Sequence, residues 1–105
     1  MTPFTVGIPV RFQHTDPAGI VFYPRLFEMI NQVVEDWFAQ GLGLDFRTLH
    51  RERGHGVPTV RIESDFKRPS RLGEVLTFEL LVRVLGKSSF TLDITASCAD
   101  EERLR

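Results

Sequence analysis

The feature that most constrains the fold is a long segment whose apolar residues cover about half of a helix surface. From Leu26 to Gln40 these residues recur with the period of an α-helix, and at about 100° per residue they fill an arc of about 180°. They are Leu26, Phe27, Met29, Ile30, Val33, Val34, Trp37 and Phe38. Gly41 and Gly43 follow and are predicted to end the helix. Because a narrow contact would bury only part of so wide a face, we predict a helix cradled by a curved sheet.

The segment before this helix predicts a strand. Apolar and polar residues alternate from Phe4 to Gln13, as in a strand with one buried face. The predicted inner face consists of Phe4, Val6, Ile8, Val10 and Phe12. Pro9 cannot donate a hydrogen bond to a neighbouring strand, so we expect an edge strand, or a gap in the pairing at Pro9.

Further strands are predicted after the helix. The polar segment from Leu44 to Gly56 is expected to be a connection that includes a short helix. Alternation returns from Pro58 to Pro69 and predicts a second strand, whereas Glu74 to Leu85 and Phe90 to Cys98 predict a hairpin. These elements together predict an α+β domain with an antiparallel sheet.

The composition narrows the classes of function. A chain of 105 residues is expected to form a single domain, residues 1–105, and its net charge of -1 argues against general nucleic-acid binding. The apolar runs are shorter than the roughly 18 residues of a membrane span, and no signal-peptide pattern is recognised at the start. Cys98 is the only cysteine, so we expect no internal disulfide, a core position for this residue and a cytoplasmic location.

The segment from His14 to Pro24, HTDPAGIVFYP, sets one carboxylate between the first strand and the helix. Pro17 favours an extended backbone at Asp16, and Gly19 permits a tight turn. Pro24 suits the first helical position, where no amide hydrogen is needed. An oxyanion beside Asp16 could therefore be stabilised by the unpaired N–H groups of the helix start. The simpler interpretation is that Asp16 only accepts local hydrogen bonds in a turn.

This segment closely resembles the active-site segment of hotdog-fold acyl-CoA thioesterases of the 4-hydroxybenzoyl-CoA thioesterase family. Weaker resemblance extends, in the family's order, through Phe66–Pro69, Gly73-Glu74 and Gly86–Phe90, and so covers most of the chain. It implies a hotdog fold, in which an antiparallel sheet wraps around one long central helix. The family continues with a further strand that this sequence lacks. We expect C-terminal truncation rather than completion of the edge by another element, since an unpaired apolar edge invites aggregation.

The resemblance also implies catalytic roles for two residues. Asp16 would attack the thioester carbonyl or activate water, and the sequence leaves both routes open. The backbone N–H of Tyr23 would polarise the carbonyl, while the Tyr23 side chain need only pack. His14 lies two positions before Asp16, so in an extended segment both side chains would point to the same side. We include His14 as a candidate substrate-binding residue that could also exchange protons.

Other candidate substrate-binding residues are spread along the chain. Asn31 occupies the helix position where hydroxybenzoyl-specific relatives carry an acid for the phenol, and an amide there leaves other acyl groups open. Charged and hydroxyl side chains near strand ends are candidates for binding the phosphates of coenzyme A. They are Lys67, Arg68, Lys87, Ser88 and Ser89. The alternative for all of them is a solvated rim. The histidines and Asp16 show no metal-ligand spacing, so we expect no metal site.

The sequence thus predicts a cytoplasmic acyl-CoA thioesterase that hydrolyses an aryl- or short- to medium-chain acyl-CoA without a cofactor. From the resemblance we also expect a homodimer, paired again into a homotetramer, and no nucleic-acid or membrane partner. One alternative is a hotdog dehydratase or hydratase, which would need a histidine with an acidic partner. The other is a non-catalytic acyl-CoA-binding module, which would have no need to retain Asp16.

Overall fold

One long helix packs against a four-stranded antiparallel sheet in the computed structural model, which describes residues 2–105. The strands lie side by side in sequence order. They are β1 (Phe4–Pro9), β2 (Val75–Leu85), β3 (Phe90–Cys98) and β4 (Glu101–Leu104). Helix α1 (Tyr23–Asp36) precedes β2 and continues into a π-helical turn at Trp37–Gly41. The predicted α+β class and the single central helix are confirmed.

Helix α1 buries the wide apolar face that the sequence predicts. Its buried residues are Leu26, Met29, Ile30 and Val33, followed by Trp37 and Phe38 in the π-helical turn. Phe22 precedes the helix with an extended backbone, and Pro24 lies in the first helical turn, one position later than predicted. The missing N–H of proline costs nothing there, because the first four N–H groups have no helical acceptor. The chain leaves the helical segment through Gly43, which has a φ of +70°.

The sheet contributes the other half of the core. Its inner face carries buried residues from all four strands, so the apolar layer is continuous beneath α1. They are Ile8, Leu76, Phe78, Leu80, Ala96 and Leu104. Packing helix against sheet in this way buries the one apolar face that each element has.

The first strand is shorter than predicted. It ends at Pro9, and Phe12–His14 form a single 3-10 turn. That turn rotates the chain out of the sheet, so Phe12 is 80% exposed and its predicted place on the inner face is wrong. The predicted edge position of the strand that carries Pro9 is confirmed, because β1 is the outermost strand.

The predicted strand from Pro58 to Pro69 is wrong as an element of the sheet. Only the segment around Phe66 pairs with the sheet: Phe66 bridges Leu104, and the Lys67 N–H donates to the Arg103 carbonyl at 2.8 Å. Val60 is 93% exposed, since no strand among the described residues lies beside it. Alternation reports a side-chain pattern, whereas a strand also needs a neighbouring backbone.

The hairpin of β2 and β3 is confirmed, with Leu80 opposite Ile94. The polar tail after it forms β4, which the sequence pattern did not predict. Ala99 and Asp100 both have positive φ, 49° and 63°, and so make the tight two-residue turn that joins antiparallel strands. The connection after α1 contains a short helical segment ending with Thr48–Glu52, as expected. Truncation of the domain stays a prediction.

No helix within residues 2–105 combines the length and the apolar character needed to cross a membrane.

We predict that Phe78→Ala destabilises the fold strongly, because Phe78 is fully buried at the centre of the core. Removing a buried aromatic ring typically costs about 3–5 kcal/mol, a large part of the about 5–15 kcal/mol that stabilises a domain. Urea unfolding followed by circular dichroism measures the change. Leu85→Ala is the control, since Leu85 is 79% exposed and should cost less than about 0.5 kcal/mol. Equal losses in both variants would contradict the assigned core.

Candidate active site

Asp16 lies in a tight chain reversal between β1 and α1. Thr15 and Val21 form an antiparallel bridge, and the Asp16 N–H donates to the Ile20 carbonyl at 3.0 Å. Gly19 has a φ of +81°, which a residue with a side chain rarely adopts. The sequence therefore encodes the reversal locally, and the reversal leads directly into the first turn of α1.

The Asp16 carboxylate is anchored by one oxygen. Its Oδ1 accepts a hydrogen bond from the Ala18 N–H at 2.9 Å, which is the local turn contact that the simpler interpretation predicts. Oδ2 accepts no hydrogen bond from residues 2–105. The half-buried side chain lines an open cleft of about 490 Å³, together with Phe12, Leu72 and the turn residues. Asp16 is thus oriented through one oxygen, while the other oxygen accepts no hydrogen bond from the described residues.

The backbone N–H of Tyr23 is the first of α1. It has no acceptor among the described residues, as expected for a helix start, where the partial positive charge favours an oxyanion. The Tyr23 side chain is 57% exposed and makes edge-on aromatic contacts with Phe22, Phe27 and Phe66. We call these four residues the aromatic cluster. It lies beside the free N–H group.

His14 does not line the cleft with Asp16. The prediction that both side chains point to the same side assumed an extended backbone, but His14 ends the 3-10 turn. Its Nδ1 accepts a hydrogen bond from the Arg11 N–H at 2.8 Å, which leaves the ring proton on Nε2. Partial burial of the ring lowers the pKa of His14, and the positive charge of Arg25 lowers it further. His14 therefore stabilises the turn as a neutral side chain.

Two of the predicted basic residues lie near the start of α1. Lys67 and Arg68 are exposed and follow Phe66, whose ring lies 5.9 Å from that of Tyr23 between centroids. They precede Ser70, whose carbonyl accepts the Val21 N–H at 2.8 Å. Their charges are consequently at the same end of the molecule as Asp16.

The other predicted binding residues are remote from Asp16 within one chain. Lys87, Ser88 and Ser89 form the exposed tip of the β2–β3 hairpin, whereas β2 begins at Val75, opposite Pro9. The 11 residues of β2 separate these two ends by roughly 30 Å. Asn31 is exposed on α1, roughly 12 Å along the helix from Tyr23. A single chain does not bring these residues together with the Asp16 cleft.

A second loop, Pro69–Glu74, supports the Asp16 reversal from behind. Ile20 bridges Arg71 in antiparallel fashion, and Leu72 reaches the cleft. Glu74 ends this loop and forms an ion pair with Arg103 of β4, which is only 7% exposed. Hydrogen bonds from Arg103 and from the Arg71 N–H lower the pKa of Glu74 to about 2. Cys98, predicted in the core, is half-buried, and its thiol points at the same carboxylate.

Sequence reasoning missed three residues of this region. Phe12 was assigned to the core by its alternation, and Leu72 stands alone between Arg71 and Gly73, outside any alternating run. Arg103 lies in a tail whose strand is too short to show a period. Among the sequence observations, only the resemblance at Gly73-Glu74 indicated the loop that supports the Asp16 reversal. Among residues 2–105 no group of three or more histidine, cysteine or acidic side chains is arranged to hold a metal ion.

Asp16 lies in a chain reversal that leads into a central helix, and an antiparallel sheet packs against this helix. This is the arrangement that the resemblance to hotdog-fold thioesterases predicts. Residues 18–104 match the family described as the thioesterase superfamily. This match covers most of the sequence, and the chain therefore belongs to the thioesterase superfamily.

Relatives and solved structures agree with that assignment. A 1,4-dihydroxy-2-naphthoyl-CoA hydrolase of Synechococcus elongatus is 34% identical over 89 residues, which cover 84% of this chain and 65% of the relative. A gentisyl-coenzyme A thioesterase superposes with a TM-score of 0.88 at 26% identity, over 96% of this chain and 80% of the other. The 4-hydroxybenzoyl CoA thioesterase from Pseudomonas sp. strain CBS-3 also gives 0.88 at 26% identity, over 97% and 78%. The predicted hotdog fold and family are confirmed.

The chain spans slightly less than two thirds of the length of the first curated relatives, 65%.

We predict that Glu74 stabilises the fold at neutral pH and loses this effect in acid. Its pKa falls from 4.5 to about 2 on folding, so the stabilisation is complete above the higher value and declines as the pH falls towards the lower one. The free-energy difference between the wild type and Glu74→Gln should therefore shrink between about pH 6 and about pH 2.5. Urea unfolding at several pH values measures it. Glu28→Gln, in an exposed ion pair, should show little such change, and a constant difference for Glu74→Gln would contradict the assignment.

Proposed function

We propose that this chain is the catalytic domain of an acyl-CoA thioesterase. The observation that carries the proposal is the Asp16 carboxylate, held by one oxygen in an open cleft, on the loop that leads to the free Tyr23 N–H. Membership of the thioesterase superfamily and the thioester-hydrolysing relatives support it.

The proposed chemistry divides between these two groups. The Tyr23 N–H donates to the thioester carbonyl oxygen and stabilises the negative charge that develops there. Asp16 either attacks the carbonyl carbon, which expels the coenzyme A thiolate and leaves an acyl anhydride for water to cleave, or takes a proton from the attacking water. Both routes end in a free acid and coenzyme A. Neither route requires a cofactor, so water is the only co-substrate in this proposal.

An aryl acyl group is the substrate class best supported. The aromatic cluster of Phe22, Tyr23, Phe27 and Phe66 offers exposed ring edges and faces next to the proposed oxyanion donor. The similar proteins named above act, by their names, on dihydroxynaphthoyl, gentisyl and hydroxybenzoyl thioesters. Short- and medium-chain acyl groups remain within the proposal, because the neutral Asn31 supplies no charge for a phenol. Lys67 and Arg68 would bind phosphates of coenzyme A.

We further propose that complete sites form between copies of the chain. Lys87, Ser88 and Ser89 are roughly 30 Å from the Asp16 cleft of their own chain, so a contribution to its substrate would have to come from a second copy. Asn31 lies closer, roughly 12 Å along α1 from Tyr23, and we propose that its exposed side chain contacts a substrate bound by a second copy. A homodimer, paired again into a homotetramer, would supply these residues. The proposed location is the cytoplasm.

The two alternatives find less support. A dehydratase or hydratase needs a histidine with an acidic partner, but His14 hydrogen-bonds a backbone amide and lies outside the cleft lining. A non-catalytic binding module would not require a carboxylate with an oxygen left unpaired in the cleft. Thiol release from acyl-CoA distinguishes all three.

We predict that Asp16→Asn abolishes thiol release from aryl-CoA substrates. The amide oxygen can still accept the Ala18 hydrogen bond, so the turn and the stability should remain, while nucleophile and base are lost. The rate should fall by at least about 100-fold. Release of coenzyme A is followed with a thiol reagent on the full-length protein, with thermal unfolding as the control for folding.

Three outcomes would contradict the proposed function. Equal rates for the wild type and Asp16→Asn would exclude the mechanism. Binding of acyl-CoA without thiol release by the wild type would favour a binding module, and hydration of an enoyl-CoA without thiol release would favour a hydratase.

We predict that the backbone, and not the side chain, of Tyr23 acts in catalysis. Tyr23→Pro removes the N–H group at a helical position that tolerates proline, and Phe22 before it already has the extended backbone that proline requires. Loss of one such donor should lower kcat by about 100- to 1,000-fold. Tyr23→Ala, which removes the ring but keeps the N–H, is the matched control for the lost aromatic contacts.

Tyr23→Phe should be nearly neutral, because the Tyr23 hydroxyl has no hydrogen-bond partner among the described residues. If Tyr23→Pro retained the kcat of Tyr23→Ala, the proposed oxyanion donor would be wrong.

A further inference from the structure

Arg103 clamps the Pro69–Glu74 loop at both of its ends. Its Nη1 donates to the Pro69 carbonyl at 2.9 Å and to the Ser70 hydroxyl at 3.3 Å. The same nitrogen donates to Glu74 Oε1 at 2.8 Å, and Nη2 donates to Oε2 at 2.9 Å. Nε lies 2.9 Å from Glu101 Oε1 as an ion pair, without the alignment of a hydrogen bond. The guanidinium thus bonds the loop through its two terminal nitrogens, while Nε only lies close to the Glu101 carboxylate.

Glu74 completes the clamp from within the loop. Its Oε1 also accepts the Arg71 N–H at 2.7 Å, and its carbonyl accepts the Val10 N–H at 2.7 Å. The carboxylate therefore holds the loop backbone and the guanidinium at the same point, while the Glu74 backbone continues the pairing with the chain that follows β1.

The clamped loop in turn supports the proposed catalytic residues. The Ser70 carbonyl accepts the Val21 N–H at 2.8 Å, two residues before the Tyr23 N–H. Arg71 bridges Ile20, whose carbonyl accepts the Asp16 N–H. Hydrogen bonds and one backbone bridge therefore connect Arg103, through the loop, to the backbone segments that carry Asp16 and Tyr23.

Arg103 is not needed to attach β4 to its neighbours. The backbone of β4 pairs with β3 on one side and, through the Arg103 carbonyl and the Lys67 N–H, with residues 65–67 on the other. The side chain acts instead on the loop. Burying an ion pair is costly, so the pair of Arg103 and Glu74 is by itself weak evidence for stabilisation of the fold. Holding the Pro69–Glu74 loop in position is the more specific explanation.

From these contacts we propose that Arg103 and Glu74 are positioning residues, which hold the Pro69–Glu74 loop so that Asp16 and the Tyr23 N–H keep their reactive arrangement. This inference rests on the proposed thioesterase function for its kinetic consequence. Its structural consequence, an ordered reversal from His14 to Tyr23, can be measured without any substrate.

The kinetic test compares Arg103→Lys and Glu74→Gln with the wild type of the full-length protein. Lysine keeps the positive charge but lacks the planar fork that bonds both Glu74 oxygens and the loop. Because small displacements of reacting groups are costly, kcat should fall about 10- to 100-fold while KM changes less than about threefold. Arg83→Lys is the matched control, since Arg83 forms an exposed ion pair far along the hairpin, and its kcat should not change.

Hydrogen exchange gives the second readout at a temperature where each variant is folded. Amide exchange of the Asp16, Val21 and Phe22 N–H groups should accelerate in Arg103→Lys and Glu74→Gln, and not in Arg83→Lys. If Arg103→Lys fails to fold, Glu74→Gln alone decides, because it keeps the shape of the side chain.

The outcomes separate this inference from the proposed function. Lower kcat with faster exchange supports both. If the wild type releases no thiol from any acyl-CoA, the proposed function fails, and the exchange data still decide whether the clamp orders the reversal. Unchanged exchange in the reversal, or a lower melting temperature with unchanged kcat, overturns the positioning role.

Discussion

The burial of one wide face of α1 against the sheet is the contact on which the rest of the structure depends. Fully burying each large apolar side chain contributes about 1.5–3 kcal/mol, and α1, β1, β2 and β4 supply such residues, while β3 adds the small Ala96 and partly buried side chains. This packing also sets where α1 begins. Residues 10–22 must leave β1, reverse and enter the helix, so the Asp16 reversal lies next to the helix N-terminus. The packing of α1 on the sheet therefore both stabilises the fold and determines where the proposed catalytic residues lie.

The proposed site is built from backbone more than from side chains. Asp16 is oriented by a backbone N–H, the proposed oxyanion donor is a backbone N–H, and the reversal is bonded to a backbone carbonyl of a second loop. Backbone groups are held only as rigidly as the segments that carry them. This agrees with the proposed positioning role of Arg103, whose buried guanidinium bonds a supporting loop and not the substrate. Placing the ion pair of Arg103 and Glu74 behind the reversal keeps its charges out of the cleft, where Asp16 needs an unpaired oxygen.

Local patterns were sufficient for much of this arrangement. The wide face of α1, the hairpin of β2 and β3 and the turn at Asp16 were all predicted, because each depends on residues close in sequence. Predictions failed where a partner was required. Phe12 alternates with β1 but is turned out by a 3-10 turn, and Val60 alternates beside no strand. Strand β4 is too short to show a period and exists because β3 is beside it.

By itself, the sequence determined the helix, its apolar face, the carboxylate turn and the family to which the chain belongs, since these follow from periodicity, from proline and glycine positions and from a continuous motif. Only the tertiary structure decided which residues share a site. It turned His14 away from Asp16, set Lys87 and Asn31 at a distance, and joined Arg103 to Glu74 across 29 positions of sequence. The physical reason is that strand pairing and helix packing set which side chains lie close together, and both depend on residues that are distant in sequence.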